Sequence, residues 1–352
     1  MTPLSGRATR VVAPTYDDFP LGYGDLDMRG DNSPPLAVVE EVLGDLKLQP
    51  GDVTGYGPVA GLDSLRSVIA AVFGVDPAQV MITAGGSEAL HLAFACVADP
   101  GQPINLPAPA FPGFRQLAEL GALRPRLYDS LGAAGVEGAV TAPGPTVVCS
   151  PHNPTGRLAD RCQLRVASTG WLIWDVSHMQ LFGAAMNDFR TGLGETEIVV
   201  FSLSKLLRLP GARVGCLISG STELIEAATA VKTHVSMSTS VLSQRLAQAV
   251  LEHPQTPAEL HERSERLAEI RQQLQQALAE SGLAQPVAAD DGTHLLCLGA
   301  DGADPWRRLK AAGIVGLPGS LFDCPAAAVR LCVAQSAETV QAALERITGH
   351  GK

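Results

Sequence analysis

The stretch FSLSKLLRLPGARVG, residues 201–215, carries the most informative pattern in the chain. Lys205 follows an apolar run and a turn that contains Ser202 and Ser204. A lysine at the end of a buried strand has a lowered pKa, which makes its amine a usable nucleophile. Arg213 stands further along between glycines, and its guanidinium fork suits a phosphate. The stretch predicts a nucleophilic lysine beside an anion site, with an ordinary surface lysine as the plainer alternative.

Outward from this stretch, short β-branched runs alternate with helical patterns from Val80 onward. Strands separated by helices predict an α/β fold, with a mostly parallel sheet sandwiched by helices and a smaller C-terminal α/β domain. We expect an N-terminal arm over residues 1–32 that joins the small domain, a large domain over 33–250 and a small domain over 251–352. Ligands of parallel sheets bind beyond the carboxyl ends of the strands, so the loops there are where we expect the chemistry.

The composition excludes several classes of protein. The 352 residues carry a formal net charge of -10 and no dense basic run, so we expect no nucleic-acid partner. The seven cysteines are scattered and never spaced CxxC, which argues against a zinc site or a disulfide framework. No apolar run is long enough to span a bilayer, and the N-terminus lacks the apolar core of a secretory signal. We therefore expect a cytoplasmic protein with no membrane partner.

The segment TAGGSEAL, residues 83–90, predicts an anion site. A strand ends there, two glycines follow, and a helix begins near Ser87. The free N–H groups of a helix N-terminus attract a phosphate, and Gly86 lets the backbone approach it closely. An ordinary strand-to-helix turn is the alternative. The segment also nearly matches the G-x-S-x-G turn of serine hydrolases, with Ala89 in the last position, so a hydrolase with Ser87 as nucleophile is a second candidate.

Three more loops carry side chains of interest. Phe111, between prolines in PAPAFPGF, could stack on a planar ring, although for a lone phenylalanine a place in the core is the stronger interpretation. Asn153 lies in the turn SPHNPTGR directly after the apolar run TVVC. Asp175 ends the apolar run LIW, where a carboxylate is costly without a cationic partner. A protonated pyridine nitrogen would be such a partner, and a structural salt bridge or helix cap would be another.

Taken in order, these segments resemble the class I/II aminotransferase superfamily, which has the fold-type I architecture of enzymes that use pyridoxal 5'-phosphate. The resemblance runs from about Gly55 to Arg330, and Ser202-Leu203-Ser204-Lys205 with Arg213 is its most specific part. It implies that Lys205 is the Schiff-base lysine and general base, and that Asp175 pairs with the pyridinium nitrogen. It also implies that Asn153 donates to the 3-oxygen of the ring and that Phe111 stacks on the ring.

The resemblance implies further contacts. The phosphate would be held by Gly86, Ser87, Ser202, Ser204 and Arg213. Tyr56, in TGYGPVAG, resembles the tyrosine that reaches the phosphate of a neighbouring subunit, which implies a homodimer with shared active sites. Arg330, in AAAVRLCVA, resembles the arginine that binds the substrate α-carboxylate, with Asn153 beside it. The small-molecule partners would be an α-amino acid and a keto acid.

His178 departs from the family pattern, because a tyrosine commonly occupies its position. We expect His178 to act at the site, either by donating to the 3-oxygen of the ring or as an acid or base near neutral pH. A histidine here also resembles the cystathionine β-lyase-like branch. The leading hypothesis is an aminotransferase. The alternatives are a C–S lyase, decarboxylase or cyclase on the same fold, or a regulator without activity, which we expect would have lost at least one of these residues.

Overall fold

The computed structural model describes residues 5–13, 15–182, 184–299, 302–324 and 327–350. The strands within them are β1 (Leu26–Asp27), β2 (Val80–Thr83), β3 (Pro103–Ala108), β4 (Arg124–Asp129), β5 (Thr146–Cys149), β6 (Leu172–Asp175), β7 (Glu197–Phe201), β8 (Gly215–Ser219), β9 (Gln285–Pro286), β10 (His294–Leu298), β11 (Ile314–Val315), β12 (Leu317–Pro318) and β13 (Ala328–Cys332).

The helices within the same residues alternate with these strands along most of the chain. They are α1 (Gly6–Arg10), α2 (Val38–Asp45), α3 (Gly51–Thr54), α4 (Asp63–Phe73), α5 (Gly86–Val97), α6 (Gly113–Leu120), α7 (Ala133–Thr141), α8 (Arg161–Ala167), α9 (Ala184–Phe189), α10 (Leu203–Leu206), α11 (Thr222–Val235), α12 (Val241–Glu252), α13 (Thr256–Ser281), α14 (Pro305–Ala311) and α15 (Ala337–Gly349).

Seven of the described strands form the central sheet, in the order β2-β8-β7-β6-β5-β3-β4. Six of them run parallel, and β8 runs antiparallel to both of its neighbours. The α/β fold with a mostly parallel sheet that the sequence predicted is confirmed. The carboxyl ends of β5, β6 and β7 lie side by side, so the residues that follow them meet at one edge.

The central strands are continuously apolar because both faces of the sheet are covered. Trp174 and Ile173 are neighbours on β6, and each is fully buried in a different apolar cluster. A charged pair lies within the core, where Arg161 and Glu197 form a buried ion pair of 2.6 Å. The Trp174 indole N–H donates to the same carboxylate at 3.1 Å, so the buried charge is fully engaged.

A second sheet has the order β12-β13-β10-β9, and β1 pairs with β11 in a two-stranded sheet. Met28, just after β1, lies in the same apolar cluster as residues of β10, β13 and α15. The N-terminal segment around Met28 therefore packs against the C-terminal part of the chain. Residues 1–4 and 14 of the predicted arm lie outside the described residues.

The long helix α13 joins the two apolar regions. Leu260, near its start, belongs to a cluster under the central sheet, whereas Leu267 and Leu274 belong to the cluster of the second sheet. Its 26 residues are long enough to contribute to both clusters. None of the helices in the described part of the chain is both long and apolar enough to cross a bilayer.

Candidate active site

A cavity of about 350 Å³ opens where the carboxyl ends of the central strands face the second sheet. The β5, β6 and β7 strands each deliver a polar residue to it from the loop or turn at their end, and β13 delivers one from the opposite side. Ten of the twelve residues that the sequence predicted for the site line this cavity. They are Gly86, Ser87, Phe111, Asn153, Asp175, His178, Ser202, Lys205, Arg213 and Arg330.

Asp175 is the last residue of β6 and is 5% exposed. Burial raises the pKa of its carboxyl group, and hydrogen bonds from Ser177 lower it in part, including an N–H bond of 3.0 Å. Within the described residues, Ser177 alone provides this stabilisation of the charged form, and no cation does. The carboxylate is thus ready to accept a proton or a positively charged N–H group from an occupant of the cavity.

Lys205 lies on the short helix α10, directly after β7 and Ser202. Its side chain is accessible because it projects into the cavity, yet the cavity walls surround the amine. That burial is the main cause that lowers the pKa of Lys205; Arg330 and Arg208 lower it further, while Asp31 opposes them. The amine is therefore more often uncharged than an ordinary lysine amine, as a nucleophile or base requires.

An anion cradle forms where β2 turns into α5. Gly85 has a φ of +90°, which favours glycine, and a Cβ there would lie 2.7 Å from the Arg213 guanidinium. Arg213 donates to the carbonyls of Ala84 and Pro210 at 3.4 and 3.3 Å, and both bonds are long. The guanidinium, the α5 N-terminus and the Ser87 hydroxyl border the cavity together, and this combination suits a phosphate.

Arg330 is buried on β13, with its guanidinium 4.8 Å from the centre of the Phe322 ring. It donates to the Asn153 side-chain oxygen at 3.1 Å and to the Arg29 carbonyl at 2.7 Å. Its Nε is buried without a partner among the described residues. Burial is the main cause that lowers the pKa of Arg330, and no described carboxylate opposes it. A buried guanidinium without a counter-ion is suited to the carboxylate of a ligand.

Two predicted site residues do not line the cavity. The Ser204 hydroxyl accepts from the Val214 N–H at 2.9 Å and donates to the Val214 carbonyl at 3.0 Å, so it ties α10 to the segment before β8. Tyr56 is 86% exposed on the surface after α3. The sequence pattern could not separate Ser202, which lines the cavity, from Ser204, because the two differ only in the direction that α10 gives their side chains.

The serine-hydrolase alternative finds no matching arrangement. The Ser87 hydroxyl borders the cavity, but no histidine hydrogen-bonds to it within the described residues. His178 borders the same cavity, but its Nδ1 lies 3.0 Å from the Thr293 hydroxyl oxygen. The site therefore lacks the nucleophile–base pair that a serine hydrolase needs.

Sequence reasoning missed other residues that border the cavity. Tyr16 and Asp31 come from the N-terminal segment, and Thr293 and His294 come from the start of β10. Asp31 forms ion pairs with both Arg208 and Arg263, at 3.2 and 3.1 Å. The His294 ring lies 4.3 Å from the His178 ring, centre to centre. The sequence offered one indication of these residues, which was the lone polar His294 at the start of the apolar run HLLCL.

The sequence profile of the family "Aminotransferase class I and II" matches residues 16–347. The chain belongs to this family. An aspartate aminotransferase of Streptomyces avermitilis is 30% identical over 53% of this chain and 51% of its own, so the match spans about half of that relative. A 1-aminocyclopropane-1-carboxylate synthase of Arabidopsis thaliana is 27% identical over 78% of this chain and 68% of its own.

The fold is also found among solved structures. A Methanococcus jannaschii protein, described as similar in its active site to kynurenine aminotransferases, superposes with a TM-score of 0.85. It is 22% identical, and the match covers 99% of this chain and 100% of that one. The prediction of a fold-type I enzyme of the class I/II aminotransferase family is thereby confirmed.

Proposed function

We propose that this chain is a pyridoxal-phosphate-dependent aminotransferase that converts an α-amino acid into a keto acid. One observation carries the proposal above the others. One cavity is lined by a lysine with a lowered pKa, by a buried carboxylate and by a buried guanidinium, and neither of the last two has an ion-pair partner among the described residues. An α-amino acid and a phosphorylated pyridine together supply a partner for each of these groups.

The residues present fit the cofactor. Arg213, Ser87 and the start of α5 would hold its phosphate, as Ser202 would at the cavity wall. Asp175 would accept the pyridinium N–H, which would supply the cation that its buried carboxylate lacks. Phe111, set edge-on to Phe114 at 5.6 Å, would stack on the ring. The cofactor, when bound through Lys205, supplies an electron sink that weakens the bonds at the substrate Cα.

The protein's own groups would then orient the substrate and move its proton. Arg330 would bind the α-carboxylate with its planar fork. Asn153 keeps its side-chain oxygen on Arg330, which leaves its amide N–H groups for the ring's 3-oxygen or the substrate. The Lys205 amine, once it is no longer bonded to the cofactor, would take the proton from Cα. Its lowered pKa favours the uncharged form that this base requires.

A second reaction on the same residues has specific support. His178 occupies the position that a tyrosine commonly has in this family, and one relative of this chain is named for a synthase rather than an aminotransferase. A C–S lyase, a decarboxylase or a cyclase would use the same lysine, aspartate and arginine. The reactions differ in the bond that is broken: a decarboxylase would break the bond from Cα to the carboxylate in place of the Cα–H bond, whereas a lyase or a cyclase would break a further bond of the substrate after the proton has left Cα.

The remaining expectations are part of the proposal. The exposed position of Tyr56 supports a homodimer in which the tyrosine reaches the phosphate of the neighbouring subunit. A cytoplasmic location is also part of the proposal, and the scattered cysteines, which are all free, support it. The arm over residues 1–32, the large domain over 33–250 and the small domain over 251–352 are supported by the two apolar regions that α13 joins.

The test is a half-reaction with the cofactor-loaded protein and single amino acids. An aminotransferase converts the cofactor to its amine form and releases a stoichiometric keto acid, with no ammonia. Release of ammonia under multiple turnover, without the amine form of the cofactor, would establish a lyase. Release of carbon dioxide under the same conditions would establish a decarboxylase. Absence of any spectral change across all the proteinogenic amino acids would count against both.

A further inference from the structure

We propose that Thr293 and His294 are positioning residues, which hold the His178 ring in one orientation and turn its Nε2–H toward the cavity as a hydrogen-bond donor. The inference deepens the proposed function, on which its catalytic consequence rests. Neither Thr293 nor His294 was marked by the motifs of the sequence. The two residues stand next to each other, so a single short segment would control His178.

Two contacts hold the ring. The Thr293 hydroxyl oxygen lies 3.0 Å from Nδ1 of His178. The His294 ring lies edge-on to the His178 ring, with 4.3 Å between centres and 73° between planes. One contact fixes the direction of a ring nitrogen, and the other fixes the plane of the ring. Nε2 of His178 has no hydrogen bond to another of the described residues.

The strand register explains why His294 faces the site. Within the antiparallel pair of β10 and β13, His294 stands opposite Cys332, and Leu296 stands opposite Arg330. Alternate residues of a strand point to the same face, so His294, Cys332 and Arg330 share one face of the second sheet. All three line the cavity. The face that carries the proposed carboxylate site thus also carries the support for His178.

Burial, together with nearby positive charge, favours the neutral form of both imidazoles. Burial is the first cause that lowers the pKa of His178 well below its usual range, and the nearby Lys205 and Arg330 lower it further. The pKa of His294 is lowered in the same way by burial and by Arg330, His178, Lys205 and His152. No described carboxylate acts in the opposite direction on either ring. A proton added to one ring would meet the Arg330 guanidinium in the same cavity, and also Lys205 whenever its amine is protonated.

The Thr293 hydroxyl decides which nitrogen of the neutral His178 ring carries the proton. A neutral imidazole has one N–H, so Nδ1 of His178 either donates to Thr293 or accepts from it. The Thr293 hydroxyl has no other acceptor among the described residues, and donation to Nδ1 satisfies it. Nε2 then carries the proton and faces the cavity. In this form His178 would donate to an anionic oxygen, such as the 3-oxygen of the cofactor ring, without placing a charged imidazole beside Arg330.

The first test uses the protein without cofactor, so its result does not depend on the proposed reaction. The measurement is an NMR spectrum of the histidine side chains in ¹⁵N-labelled protein. The protein contains eight histidines, and the His178 signal is assigned as the one that disappears in His178→Gln. We expect a neutral ring with the proton on Nε2 that remains neutral as the pH falls from about 8 to about 6, the range over which a free histidine titrates. A proton on Nδ1, or titration of His178 in this range, would overturn the proposal.

The second test uses variants of the supports. Thr293→Val removes the hydroxyl at nearly constant shape, Thr293→Ser restores it, and Thr348→Val is a control on the surface of α15. We expect a mixture of His178 tautomers in Thr293→Val only. In the cofactor-loaded enzyme, the same variant should show a roughly tenfold fall in kcat with an unchanged KM.

The His294 variants test the ring contact. His294→Phe should keep the contact and the single His178 signal, whereas His294→Ala should broaden the His178 signal. Equal His178 spectra in Thr293→Val and the wild-type protein would refute the positioning role, whether or not the loaded enzyme is active.

Discussion

Arg330 donates to the side-chain oxygen of Asn153 across 3.1 Å, and so connects the second sheet to the loop after β5. Each residue was predicted from a different motif, and the two meet at one wall of the cavity. The contact fixes one arm of the guanidinium fork, while the buried Nε has no partner among the described residues. The substrate carboxylate would complete the hydrogen bonding of this group.

We expect Arg330→Gln to weaken the binding of the amino acid by roughly a hundredfold, because a charge-assisted bidentate pair contributes about 3 kcal/mol. The measurement is KM, together with the Kd of the substrate from cofactor absorbance. Arg124→Gln, at the exposed start of β4, is the matched control and should behave like the wild-type protein. An Arg330→Gln enzyme that kept its substrate affinity would remove Arg330 from the carboxylate site.

Asp175→Asn should separate stability from function. Because burial raises the pKa of Asp175, the cofactor-free protein binds a proton there more tightly than the unfolded chain does. The cost of the buried charge is therefore absent below the ordinary value of about 3.9, grows as the pH rises from there to the native pKa, and is complete above it. We expect the cofactor-free variant to unfold at an equal or higher temperature at neutral pH, with turnover lower by orders of magnitude. A large drop in the thermal midpoint would indicate a structural role instead.

The lowered pKa of Lys205 predicts a pH-dependent stability of the opposite sign. The unfolded chain binds a proton at this lysine more tightly than the native protein, so the contribution of Lys205 improves as the pH rises from the native pKa toward about 10.4. Lys205→Met in the cofactor-free protein should be more stable than the wild type at neutral pH, and the difference should shrink as the pH increases. Denaturant unfolding at several pH values measures it, and a difference that grew with pH would contradict the assignment.

Tyr56 allows a test of shared active sites. Copies that carry Tyr56→Ala and copies that carry Lys205→Ala should each be nearly inactive. If Tyr56 acts across the subunit boundary, a mixed dimer contains one site with both changes and one site with neither. Mixing after mild unfolding should therefore restore activity, up to about a quarter of the wild-type level when the copies pair at random, since half of the dimers are mixed. No recovery in isolated mixed dimers would place Tyr56 in its own subunit's site or outside the site.

The sequence predicted the fold and the strand ends well, because these depend on local patterns. The run LIW with Asp175 after it became β6 with the carboxylate at its end, and the apolar run before Lys205 became β7. The antiparallel direction of β8 was not predictable, since an apolar run between two turns has the same composition in either direction.

The parts of the site that sequence reasoning missed come from distant segments. Thr293 and His294 stand 115 residues or more from His178, and no local spacing connects them. Asp31 lies in an irregular segment, where its partners Arg208 and Arg263 could not be foreseen. Ser204 was predicted for the phosphate because it belongs to the same short motif as Ser202. Its hydroxyl instead satisfies the backbone of Val214, which is a consequence of the turn into α10.

The central claim is that Lys205 carries the cofactor. The most direct measurement incubates the protein with pyridoxal 5'-phosphate, reduces it with borohydride and maps the modified peptide by mass spectrometry. We predict one modification, on Lys205, which is lost in Lys205→Ala but kept in a Lys310→Ala control. A modification on another lysine, or equal labelling of Lys205→Ala and the wild-type protein, would contradict the account.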